Sequence, residues 1–98
     1  MSAGAPDEQQ WLQALAAEGY AHTYVWQDGP HALYADHVHA EDTAHVILTG
    51  ELTLTMAGQQ RTYCCGERVD VPAGAVHSAR MGAHGCRYLI GERAARRC

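Results

Sequence analysis

The sequence predicts an all-β fold, an antiparallel barrel or sandwich behind one short N-terminal helix. Three observations carry this: a single run of helix formers near the start, a series of short β-forming segments at regular spacing, and Gly, Pro and Asp turn signals between them. With 98 residues the chain is expected to form one domain, 1–98. A chain this short buries a modest core and usually gains stability from a metal, disulfides or a partner subunit.

Residues 1–6 read as a flexible lead-in of small residues, followed by a helix over 7–19. Asp7 is the candidate N-cap and Gln10, three residues on, completes a capping-box pattern. Trp11, Leu12, Leu15 and Ala16 recur on one helical face, and Gly19 stands where a C′ glycine ends a helix. The β-barrel is expected over 20–92. Its candidate strands are 20–26, ending at Asp28-Gly29-Pro30, then 32–39, then 43–49, stopping at Gly50. Leu52, Leu54 and Met56 alternate with Thr53 and Thr55, the period of a half-buried strand. Residues 57–60 are a plausible hairpin turn into 61–64, and Val69 and Val71 alternate with Asp70 before Pro72-Ala73-Gly74. Residues 76–81 and 87–90 supply the last strands, across a turn at 82–85. That makes eight or so strands, with an Arg-rich tail at 93–98.

Composition excludes several classes of function. Apolar residues make up 47% and charged residues 18%, too apolar for a disordered chain. The net charge is −4, and the basic cluster Arg93, Arg96 and Arg97 has no aromatic platform beside it, so no nucleic-acid partner is expected. No stretch approaches the roughly 18 apolar residues of a membrane span, and none of the first twenty residues form a signal-peptide pattern. A cytoplasmic location is therefore expected. Cys64, Cys65, Cys86 and Cys98 show neither CxxC spacing nor a secreted framework, and free thiols are the plain reading. A redox role for the Cys64-Cys65 pair is the alternative.

Seven histidines are a rich supply, and their spacing is informative. His37 and His39 are two apart on a predicted strand, so both imidazoles would leave one face and could share a metal. A surface or hydrogen-bonded core position is the competing reading for each. His77, just after the Pro72-Ala73-Gly74 turn, is the best candidate for a third ligand.

The segments 37–50 and 66–81 resemble the two motifs of the cupin family. The first motif is HxH, three or four residues, Glu, six residues, Gly. This chain has His37-Val38-His39, Ala40-Glu41-Asp42, Thr43, then six residues to Gly50. The second is Gly, five residues, Pro-x-Gly, two residues, His, three residues, Asn. Here stand Gly66, Pro72-Ala73-Gly74, His77 and Met81 at those spacings. The resemblance implies a double-stranded β-helix, a jelly-roll-like barrel, with one divalent metal in its mouth held by His37, His39 and His77. It also exposes two departures: Thr43 stands at the Glu position and Met81 at the Asn position. A Thr hydroxyl is a poor ligand, which leaves a three-His site with open positions.

His45, two residues beyond Thr43, alternates onto the same interior face. A fourth ligand, an acid–base group beside the metal and a hydrogen-bonded core residue are the open readings. Glu41 and Asp42 read as solvated loop carboxylates, and His22, His31 and His84 fall at strand starts or turns. Imidazole donors suit Fe, Zn, Ni, Mn or Cu equally on sequence grounds. A small-molecule ligand or substrate is expected, with Trp26, Tyr34, Met56 and Tyr88 as candidate pocket walls. The resemblance implies a metal-dependent dioxygenase, with a non-enzymatic binding or sensor cupin and an isomerase or epimerase as alternatives. A homodimer is expected from the short chain.

Overall fold

A computed structural model of the protein describes residues 8–95. The expected lead-in, the Asp7 cap, and Arg96, Arg97 and Cys98 lie outside the described residues. One helix, α1 (Glu8–Ala17), precedes six strands: β1 (His22–Asp28), β2 (Leu33–His37), β3 (Glu41–Met56), β4 (Gln59–Cys64), β5 (Arg68–Val71) and β6 (His77–Ala94).

The helix ends as its sequence predicts. Gly19, at φ 91°, donates to the Ala16 carbonyl, and Tyr20 donates to the Leu15 carbonyl, the paired bonds of a Schellman cap. Leu15 and Tyr20 are buried together beneath that turn, with Trp11 and Leu12 packed against them. Ala16, expected on the same face, is exposed instead.

All strand pairs are antiparallel, and β3 and β6 are long enough to run through two leaves of one six-stranded sheet. One leaf is β2–β6–β3–β4 and the other is β1–β6–β3–β5. This corrects the sequence reading in one respect. Segments 43–49 and 52–56 are one strand, as are 76–81 and 87–90, so eight expected strands are six. Gly50 and residues 82–85 are not reversals. They are the corners where β3 and β6 pass from one leaf to the other, with register shifts at Ile47/Thr49 and Gly50/Leu52. Gly50 takes φ 80°, and a Cβ there would collide with the Gly85 carbonyl oxygen, so no other residue fits the corner. The hairpin expected over 57–60 forms, but its turn is only Ala57 and Gly58, both at positive φ, closing Met56 onto Gln59, and Gln59 and Gln60 already belong to β4.

The core lies on both sides of the second leaf. Inside the barrel, Ile47, Leu52, Leu54, Val69, Val71, Met81, Cys86, Tyr88 and Ile90 pack together. Outside it, α1 covers Ala44, Val46, Leu48 and Leu89. The first half of β3 is thus buried on both faces, which is why residues 43–48 lack the clean alternation of 52–56.

Arg93, expected in a solvated tail, belongs to β6. The ladder pairs it with Asp42, its guanidinium lies 4.4 Å over the Tyr20 ring, and it donates to the Glu18 carbonyl. Arg68 ties the helix end to β5 through paired bonds to Glu18 (2.8 and 2.7 Å) and bonds to Asp70.

Candidate metal centre

Two local devices converge three imidazoles. The β2–β6 ladder pairs His37 with His77 directly, after a bulge that takes three residues of β2 from Tyr34 against two of β6 from Ala79. The bulge turns both Tyr34 and His37 into the cavity. His39 is not on the strand as expected, because β2 ends at His37. It sits in the β2–β3 loop, where its carbonyl accepts a hydrogen bond from the Gly74 N–H (3.0 Å). Asp42 accepts another from the Ala73 N–H (2.9 Å). The Pro72–Gly74 turn therefore clamps the loop carrying His39 beside His77. Asp42 is part of this clamp rather than a solvated loop carboxylate.

The ring centroids of His37, His39 and His77 are 4.2 to 5.0 Å apart. One ligand nitrogen from each lies within 4.8 Å of the others. Nitrogens about 2.1 Å from one ion are at most about 4.2 Å apart, so small side-chain rotations close the set on a metal. Tautomers favour this as well. His37 Nδ1 lies 2.7 Å from the Ala35 carbonyl oxygen, and His77 Nδ1 lies 3.0 Å from that of Ala75. A carbonyl only accepts, so each Nδ1 carries the proton and each Nε2 keeps its lone pair for a cation. Burial, followed by the neighbouring His77 and His37, holds His39 below the usual histidine range, with Glu92 acting the other way. The donor set fits a divalent transition metal.

The three imidazoles border a cavity of about 260 Å³. Its floor is apolar, from Leu52, Leu54, Met81 and Ile90, and Trp26 and Tyr34 flank its exposed mouth. Of the expected wall residues, Trp26, Tyr34 and Tyr88 line it, whereas Met56 packs against the core beside His77. Thr43 is buried, its hydroxyl making a long 3.5 Å bond to the Val71 carbonyl. His45 lines the same cavity with its ring 5.9 Å from that of Tyr88 and stands outside the cluster of three. Its Nδ1 is shielded from solvent without a hydrogen-bond partner, and burial, then His77 and His39, push its pKa down to about 4.

Two acidic groups escaped the sequence reading: Asp28, which holds wall residues without lining the cavity, and Glu92, which lines it. Asp28 receives Trp26 Nε1–H (3.1 Å), Tyr34 O–H (2.7 Å) and Tyr88 O–H (2.7 Å), fixing three wall residues at one carboxylate. Glu92 lines the cavity and accepts from Tyr24 O–H at 2.9 Å. The signal for Glu92 was available, since strand alternation from Tyr88 and Ile90 carries position 92 inward. Burial, then Glu92, pushes the Tyr24 pKa up to about 12, and burial, then Asp28, raises Tyr88 further, so both phenols remain donors at neutral pH. Cys64 lies on the outer hairpin, exposed, and its hydrogen bond to Glu67 raises the thiol pKa, which opposes a redox role.

A bent six-stranded barrel with inward histidines at its mouth defines a class, and comparison with solved structures identifies it. Protein-family models and curated proteins gave no match. Among solved structures, the DMSP lyase DddQ from Ruegeria pomeroyi superposes with a TM-score of 0.68 at 27% identity, covering 74% of this chain and 37% of that one. A cupin superfamily protein from Desulfitobacterium hafniense gives 0.67 at 19% identity, covering 74% and 65%. KdgF from a Halomonas species gives 0.63 at 18%, covering 72% and 67%. The chain thus spans little more than a third of the lyase. It has the cupin fold, and its structural neighbours include cupin superfamily and cupin-domain proteins. Among the described residues, no helix is long and apolar enough to cross a membrane.

Proposed function

We propose that this cupin binds one divalent transition metal through His37, His39 and His77 and uses it on a small molecule admitted by the adjoining cavity. The observation that carries this reading is the convergence of the three imidazoles, one ligand nitrogen from each within 4.8 Å of the others, with Nδ1 of His37 and of His77 each held at a backbone carbonyl. When bound, such a metal supplies Lewis-acid polarisation of an oxygen-bearing group, or oxygen activation if it is iron.

The chain's own residues favour acid–base chemistry, of the lyase or isomerase kind, over a dioxygenase reaction. Tyr24, Tyr34 and Tyr88 are protonated donors held by carboxylates around the cavity, and Glu92 is an acceptor on its wall. The similarity to a DMSP lyase supports the same direction. The dioxygenase reading rests on the open three-imidazole set alone. A homodimer is also expected, because a core of this size gains from a partner; light scattering that returns the mass of one chain contradicts it.

Elemental analysis of untagged protein tests the metal. About one equivalent per chain is expected, and the His39→Ala, His77→Ala double variant should lose it while keeping its β-sheet circular dichroism. Metal content unchanged in that variant defeats the assignment. Zinc supports the acid–base reading, and iron supports oxygen chemistry.

A further inference from the structure

The geometry points to Glu92 as the carboxylate that balances the charge of this metal site, delivered from β6 across the ladder instead of from β3. This rests on the metal reading above and goes beyond it by adding a residue to the site.

A divalent ion on three neutral imidazoles carries two uncompensated positive charges, and an apolar cavity floor does nothing to screen them. Among the described residues lining the cavity, Glu92 is the one carboxylate. Its position follows from register. The β3–β6 ladder pairs Thr43 with Glu92, and directly opposed residues of an antiparallel pair project from the same face. A carboxylate at position 92 therefore enters the cavity from the strand facing Thr43. Both residues line the cavity, and Thr43 itself brings no charge.

Glu92 is also poised rather than spent. Its Oε2 is held by the neutral Tyr24 hydroxyl at 2.9 Å, which orients the group without cancelling its charge. The nearest cationic candidate, His22 Nε2, is 3.9 Å from Oε1 on a side chain 68% exposed to solvent, where screening makes a pair weak. Arg93, the next residue, is on the opposite face with Asp42 and Tyr20. The 4.8 Å cluster contains the three imidazoles and no carboxylate, so Glu92 works from outside the ligand set. From there it draws the cation by charge.

The test measures Zn(II) and Co(II) affinity by chelator competition in the full chain. Glu92→Gln keeps the shape and the Tyr24 contact and removes the charge, and affinity should fall about tenfold or more. Adding Thr43→Glu to Glu92→Gln moves the carboxylate across the ladder and should restore affinity to within a few-fold of the starting protein. Thr43→Glu alone should gain little, because the charge is already supplied. Affinity within twofold of the parent in Glu92→Gln overturns the proposal. So does a tenfold gain from Thr43→Glu alone, a measurement that stands even if Glu92→Gln fails to fold. A parent protein that binds neither ion defeats the metal reading itself, which is a distinct result.

Discussion

His45 illustrates how much a single side chain's surroundings decide. Alternation places it inside, as the sequence predicts, yet it stands apart from the three imidazoles that cluster. His45→Ala should therefore leave metal affinity within about threefold, whereas loss of a ligand imidazole removes far more. A drop in Zn(II) affinity as large as that of His77→Ala would make His45 a ligand after all. Its depressed pKa has a second consequence. In the unfolded chain His45 takes up a proton near pH 6.5, and in the folded metal-free protein only near 4. Between those values the unfolded state binds more protons, so stability is intact above about pH 6.5 and falls as pH drops toward 4. The loss is at most on the order of 3 kcal/mol. Urea denaturation of the metal-free protein across that window should show the slope, and His45→Gln should flatten it; an unchanged slope in the variant assigns the pH dependence elsewhere.

At the scale of elements, the two long strands and their glycine corners hold the site in place. Gly50 and Gly85 let β3 and β6 bend so that Thr43, His45 and Glu92 on one leaf face Leu52, His77 and Met81 on the other. Gly50→Ala would set a Cβ against the Gly85 carbonyl and 3.0 Å from Cys86 Cα at a left-handed φ. We expect a loss of about 3 kcal/mol or more. Gly58→Ala meets open space and bears only the backbone strain, about 1 kcal/mol. Equal midpoints for the two variants in chemical denaturation would contradict the corner role. These corners also explain what the sequence did and did not reveal. Positive-φ glycines signal reversals and in-strand bends alike, so Gly50 and 82–85 read as turns and two strands became four. The helix, its Gly19 cap and the 57–58 hairpin were legible because each rests on contacts a few residues apart. His37 and His77 were legible through spacing and the inward direction of Glu92 through strand alternation, whereas the pairings of Glu92 with Tyr24 and of Asp28 with Tyr88 were not, because those partners lie 68 and 60 residues apart along the chain.

For the whole molecule, a small barrel has a core that also forms the floor of an open cavity between its two leaves. The loop clamp between His39 and Gly74 and the ladder pair His37–His77 fix the imidazoles before any ion arrives. Metal binding is therefore expected to stabilise the folded state rather than create it, raising the thermal midpoint in proportion to the logarithm of free metal. The central claim is that three imidazoles share one ion, and X-ray absorption at the metal edge reads that most directly. The expected spectrum has nitrogen neighbours at about 2.0–2.1 Å with the multiple scattering of three imidazoles. Sulfur neighbours at about 2.3 Å, as binding at Cys64 or Cys65 would give, or fewer than two imidazoles, would contradict it.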